Sequence, residues 1–301
     1  MTGGGLPKIW LPAFGIDRIR QVWDPESGPV CPPGHYVLSR NVGDDLQTLA
    51  VERLARAAGL EVGYYERDTL VRDGAWGEHG NVLCLVGWFS HSDQWPPPAP
   101  GPWVPLFLGY HDTATPVTGR FAALRELAQR SPWVVGCRDR HTVEVFRRAG
   151  VSADRIAVSG CATLTLPKTE VTSTPLAVDV LEEDRRALLS DVSPVWEHAS
   201  HWMSTAVASD PKRRRAEILA AVDRLSRARV VATTRLHAAL PALAAGRKVV
   251  FLCREPLEAR VRDFIEEFPV IRTLSRPDVP VSAQEVAQSQ IRDEFQEILR
   301  T

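Results

Sequence analysis

The chain has 301 residues, 44% of them hydrophobic and 24% charged, enough for two compact domains with proper cores. Lys and Arg number 36 against 37 Asp and Glu, a net charge of -1. That balance gives no electrostatic reason to expect a nucleic acid or an anionic membrane surface as partner. The five cysteines (Cys31, Cys84, Cys137, Cys161, Cys253) are odd in number, scattered and without a C-x-x-C pair. They argue against a disulfide framework and a structural zinc site, and for a reducing, cytoplasmic compartment. The opening MTGGGLPKIW lacks the basic and apolar regions of a signal peptide, and no apolar run reaches the roughly 18 residues of a membrane span.

Short apolar runs alternate with longer amphipathic stretches, the pattern of parallel sheets covered by helices. Tyr36 to Ser39 reads as a strand, and NVGDD then opens a helix with apolar positions Leu46, Leu49, Val51 and Leu54, stopped at Gly59. Asn81 to Trp88 is a strong strand. The QWPPPAPGPWVP stretch that follows is too rich in proline for a helix or an inner strand. A strand is expected within 102–110, a helix over 117–130, a strand over 132–137, a helix over 140–149 stopped at Gly150, and a strand over 155–159. Residues 166–175, with their Thr, Ser and Pro, read as a linker. Beyond it come a strand at 176–180, helices at 182–190 and 211–228, a strand at 230–234, a helix at 236–245 ended by Gly246, and a strand at 248–253. Helices are expected over 256–268 and 283–299. The domains that follow are 1–165 and 166–301, with the last helix packing back on the first domain.

The sharpest local feature is VVATTRLHAALPALAAGRKVVFL. A buried strand ends where Arg235 turns into a helix, and ligands of open α/β sheets collect at the carboxyl ends of strands. The helix start suits an anion, Arg235 offers a fork of donors, and His237 can exchange a proton near neutral pH. The competing reading is a surface arginine and a histidine that caps or packs. WVVGCRDRHT repeats the arrangement with Arg138, Asp139 and Arg140 before a helix. A second arginine there suits a doubly anionic ligand; the competing reading is Asp139 as a simple helix cap with both arginines in solvent. Asn41, Gly43 and Asp44 lie at an earlier strand-to-helix turn, where they could contact hydroxyl groups or where Asp44 or Asp45 could cap the helix. GWFSHSDQW and GYHD set Trp88, His91, Trp95 and His111 near strand ends, suited to a sugar or to packing. No H-E-x-x-H, P-loop, G-x-G-x-x-G or G-x-S-x-G occurs, which disfavours metalloproteases, P-loop NTPases, dinucleotide enzymes and serine hydrolases.

Taken in order, NVGDD, GWFSHSDQWPP with VPLFLGYHD, GCRDRHTVEVFRRAGV, SGCATLTLP and ARVVATTRLHAALPALAAGRKVVFL resemble the polysaccharide pyruvyl transferase family, from about Asn41 to Leu252. The resemblance implies a GT-B-like fold: two Rossmann-like domains with parallel sheets and an interdomain cleft. It implies an enzyme, a ketal-forming transferase of polysaccharide (exopolysaccharide, cell-envelope) biosynthesis. The donor would be phosphoenolpyruvate, a co-substrate rather than a cofactor, and the acceptor a glycan sugar, free or lipid-linked. It assigns Arg138, Arg235 and Leu236 to the donor and His237 to proton transfer. The acceptor or cleft side takes Asn41, Gly43, Asp44, Trp88, His91, His111 and Ser159, with no metal. The poorly matching segment between Thr172 and Val207 leaves the acceptor, and the choice of His198 or His201 as a cleft residue, open. The rival functions are a nucleotide-sugar glycosyltransferase of the same fold and a non-catalytic glycan-binding protein.

Overall fold

The computed structural model describes residues 8–13, 21–22, 37–38, 40–66, 81–88, 103–109, 118–171, 174–181, 184, 196–253, 264 and 270–273. It is an α/β protein with two main parallel sheets and a small two-stranded one, and its chain separates into two units: Met1–Ala162 with Ser204–Arg214, and Thr163–Met203 with Arg215–Thr301.

The first unit contains β1 (Lys8–Ala13), β2 (Gln21–Val22), β3 (Val37–Leu38), α1 (Val42–Ala57), β4 (Glu61–Glu66), β5 (Asn81–Trp88), β6 (Trp103–Gly109), α2 (Thr118–Arg130), β7 (Val135–Cys137), α3 (Arg140–Arg148) and β8 (Ile156–Val158). Its six-stranded sheet runs β4-β1-β5-β6-β7-β8, every pair parallel. Leu83, Leu85, Leu108, Val135 and Cys137 from the strands pack with Leu124 and Leu127 of α2 and Val143 and Phe146 of α3. A strand with helices on both faces has no polar side, which is why these segments read as continuous apolar runs. The third helix stops at Gly150, whose φ of +84° is open to glycine at little cost. Also in this unit are the short α4 (Thr205–Ala208) and the first turn of α5 (Pro211–Arg227). There Arg214 is buried and pairs side-on with Asp45 of α1, Nε to Oδ1 at 3.1 Å and Nη2 to Oδ2 at 2.6 Å.

The second unit contains β9 (Leu176–Val178), β10 (Glu197–Ala199), the rest of α5, β11 (Val230–Thr233), α6 (Leu236–Ala244), β12 (Lys248–Cys253) and β13 (Val270–Thr273). Its sheet runs β10-β9-β11-β12-β13, again parallel throughout. Counted within the unit this is strand order 2-1-3-4-5, and the first five strands of the other sheet follow the same order. In such sheets the order reverses between the first and third strands, and the crevice beyond their carboxyl ends is where ligands bind. That point lies between β1 and β5 in one sheet and between β9 and β11 in the other.

Most expected strands and helices stand within a residue or two of their expected limits. Five strands were not expected: β1, β2, β4, β10 and β13. The reason is visible in KIWLPA, EVGYYE and EHA, which carry proline, glycine or charge where a buried strand would be uniformly apolar. Pro12 is tolerated because β1 pairs with β5 only over Lys8 to Trp10, leaving that side of the ladder open at Pro12. Val37–Leu38 is a strand as expected, but it pairs with β2 in a separate two-stranded sheet, and it is β1 that lies under α1 in the main sheet. The expected helices at 256–268 and 283–299, and all but residue 184 of the one at 182–190, lie outside the described residues, apart from a turn at residue 264.

Candidate functional site

The end of β11 is where chemistry-bearing side chains converge. Arg235 is the N-cap of α6 with extended backbone (φ -105°, ψ 121°), and its own side chain makes no capping hydrogen bond. Its N–H donates to Thr233 Oγ1 at 2.9 Å, and its carbonyl accepts from the N–H groups of Ala238 and Ala239. The guanidinium donates from Nε to Asp179 Oδ2 at 2.8 Å and lies over the Trp202 ring at 5.0 Å from the centroid. Among the described residues its two terminal nitrogens make no hydrogen bond, and the side chain is 40% exposed, within reach of a ligand from solvent. An arginine restrained at one nitrogen and one face presents its remaining edge to an oxyanion without further ordering.

Asp179 immediately follows β9, so Arg235 and its carboxylate partner come from the two strands that flank the reversal of strand order. Asp179 also accepts from Ser200 Oγ at 2.9 Å and from the His201 N–H at 3.3 Å, drawing the segment after β10 to the same point. His201 is 3% exposed, and among the described residues its Nε2 has no hydrogen-bond partner. Burial pushes the imidazole down to about 4, against the pull of the Asp179 charge and a backbone hydrogen bond with His237, with Arg235 and Arg224 pushing further down. The bond to His237 has a sequence cause. Pro241, inside α6, lacks the N–H that would otherwise bond the carbonyl four residues back, which is that of His237. His237 itself is half-buried in the first turn of α6, and Leu236 is 8% exposed, its side chain in the core.

The second arginine belongs to the first unit. Arg138 follows β7, its side chain 4% exposed, with Nε 3.3 Å from Asp139 Oδ2 as its one hydrogen bond among the described residues through that side chain. Gly109 at the end of β6 makes the room: a Cβ there would lie 2.6 Å from Arg138 Cζ. Asp139 caps α3 as well, accepting from the Thr142 N–H at 2.7 Å through Oδ1. The capping half of the bland reading is therefore seen, whereas Arg138 is buried rather than in solvent; Arg140 is exposed. Buried cations are rare without full compensation, so a guanidinium with one long bond to a neighbour is set up to take an anion.

The other expected site residues divide. Asn41 caps α1, its Oδ1 accepting from the Gly43 N–H at 3.0 Å, so the cap is Asn41 and neither Asp44 nor Asp45. Gly43 is buried and Asp44 half-buried in the same first turn, at the reversal of strand order of the first sheet. Trp88 ends β5. Ser159, just past β8, donates its hydroxyl to the Cys137 carbonyl at 3.1 Å. His91, Trp95 and His111 lie outside the described residues. Of the two histidines left open, His198 is exposed on the edge strand β10 and His201 is the buried one beside Asp179. Burial pushes the Cys137 and Cys84 thiols up to about 12, with Asp139 adding to the effect at Cys137, so neither is a thiolate near neutral pH. Sequence reading passed over Asp179. Its one signal was an aspartate directly after a strand, in a segment read as strand to residue 180.

A search of curated proteins finds no match. Among solved structures, a functionally uncharacterised protein from Klebsiella pneumoniae is similar, with 14% identity, a TM-score of 0.46, and cover of 86% of this chain and 94% of the other. No helix among the described residues is long and apolar enough to cross a membrane. The family comparison spans GCRDRHT, SGCATLTLP and ATTRLH, while NVGDD and the two aromatic segments fall before it. Over residues 118–253, which hold Arg138, Arg235 and His237, the chain matches the polysaccharide pyruvyl transferase family, the one its motifs resemble.

Proposed function

We propose that this chain moves the pyruvyl group of phosphoenolpyruvate onto two hydroxyls of a glycan sugar, forming a pyruvate ketal and releasing phosphate. The family match supports pyruvyl transfer. The observation that carries the donor is Arg235, restrained by Asp179 and Trp202 with its terminal edge open at the start of α6. Phosphoenolpyruvate bears a phosphate and a carboxylate on a three-carbon skeleton, and Arg138 is the second cation in this reading. A GT-B-like pairing of the two units belongs to the same reading, as does an acceptor side built on Asn41, Gly43 and Asp44.

The reaction needs two C–O bonds at C2. The methylene carbon takes a proton from His237 as one acceptor hydroxyl bonds to C2 and gives up its own proton, which restores that of His237, leaving a tetrahedral centre that holds methyl, carboxylate, phosphate and sugar oxygen. A second hydroxyl then bonds to C2 as the bond from C2 to the phosphate oxygen breaks, and its proton leaves with the phosphate. Positive charge at the helix start and at the arginines stabilises the departing phosphate. No step calls for a resident cofactor.

The test is a panel of glycosides, free and lipid-linked, incubated with phosphoenolpyruvate. The expected result is inorganic phosphate release with a product heavier by one pyruvate ketal. Release of a nucleotide from a nucleotide sugar, with phosphoenolpyruvate untouched, would sink the proposal in favour of glycosyl transfer.

A further inference from the structure

We propose that Asp179 is the positioning residue of this site: it holds Arg235 by Nε, so that both terminal nitrogens are presented together to a small oxyanion. The inference rests on the reading of Arg235 as a donor ligand and deepens it. Asp179 is the only non-glycine among the described residues with a positive φ, +50°. That region is disfavoured for residues with a Cβ, least so for Asn and Asp. The turn brings the carboxylate of Asp179 to its partners beyond the strand end. Its oxygens accept from Arg235 Nε at 2.8 Å, Ser200 Oγ at 2.9 Å and the His201 N–H at 3.3 Å. Its carbonyl accepts from Thr234 Oγ1 at 3.0 Å, and its N–H donates to the Ala199 carbonyl at 3.1 Å. One residue therefore ties together the segments leaving β9, β10 and β11.

The way it grips Arg235 sets it apart from a structural ion pair. Asp45 takes Arg214 side-on through Nε and Nη2, in a buried pair. Asp179 takes Nε alone, and Trp202 takes the face. The hydrogen bond at Nε and the Trp202 ring against the guanidinium restrain the group, and the edge left over is the two-pronged one that matches a carboxylate or phosphate. Preorganisation of this kind gains affinity by removing the cost of ordering the side chain on binding.

The experiment is calorimetric titration of the whole chain with phosphoenolpyruvate, and with inorganic phosphate and pyruvate as separate arms to show which oxyanion is held. The variants are Asp179→Gly, Asp179→Asn and Arg235→Ala, each with its thermal unfolding midpoint. Glycine keeps the left-handed backbone and removes the carboxylate, so binding of phosphoenolpyruvate should weaken by about tenfold or more. Asparagine keeps an acceptor for Nε and tolerates the same backbone, so it should restore binding to within about threefold. If Asp179→Gly binds like the unaltered chain while Arg235→Ala loses the ligand, the positioning role is overturned and the reading of Arg235 stands. If Arg235→Ala also binds normally, both fall. A failure of asparagine to rescue, with both Asp179 variants unfolding early, would assign Asp179 to the fold and overturn the proposal.

Discussion

Arg235 is restrained at one nitrogen and one face, whereas His237 sits two residues further, on the first turn of the same helix. The two side chains divide the work expected of them, one binding charge and the other moving a proton. Replacement of His237 by Ala should lower turnover by about 10²–10⁴-fold, the range for loss of a general acid. Affinity for phosphoenolpyruvate should stay within about threefold, since the arginine edge is untouched. Phosphate release and calorimetry on the same variant measure the two quantities, and a loss of affinity matching the loss of rate would assign His237 to binding instead. At this scale the sequence showed which residue types were present and how they were spaced. It did not show that Asp179, fifty-six positions before Arg235 in the chain, is the carboxylate against it. Such contacts between distant positions depend on strand order, which local spacing does not encode.

Among the elements, the turn from β7 into α3 concentrates three demands in few residues. Asp139 caps the helix and contacts Arg138, and Gly109 of the neighbouring strand leaves space for the guanidinium. Because Gly109 lies at an ordinary φ, Ala adds a methyl group without backbone strain, and only the 2.6 Å contact with Arg138 Cζ is at stake. Gly109→Ala should therefore displace Arg138 and weaken phosphoenolpyruvate binding nearly as much as Arg138→Ala does, by calorimetry. Unchanged binding in Gly109→Ala would remove Arg138 from the donor site. Asp139→Ala loses a buried cap and should cost about 1–2 kcal/mol from the capping alone, read from urea unfolding. The GCRD sequence showed the cap and the arginine. That the arginine is buried follows from β6 lying beside β7 and ending in glycine.

For the whole molecule, His201 links the site to stability. In the folded chain its imidazole is held down to about 4 by burial, while in the unfolded chain it returns to its ordinary 6.5. Between those values the unfolded chain binds the extra proton, so stability present above the higher value is lost as pH falls through the window. Asp179, Arg235 and Arg224 are the charged groups that act on this imidazole, Asp179 opposing the shift and both arginines reinforcing it. His201→Gln should flatten the fall in urea midpoint between about pH 7 and about pH 4.5, leaving the slope due to other groups. An identical slope in the variant would show that His201 does not titrate in this range.

Sequence alone determined the α/β class, the succession of apolar strands and amphipathic helices, the helix stops at Gly150 and Gly246, and the motif series that leads to the family. These are local properties: periodicity, capping and glycine conformation are written within a few residues. Tertiary structure decided the strand order 2-1-3-4-5, the placement of Asp179 against Arg235, the burial of His201 with the exposure of His198, and the burial of Arg138. Each of these joins residues far apart in the chain. Parallel sheets bring them together only after the crossover connections have set which strand ends are neighbours.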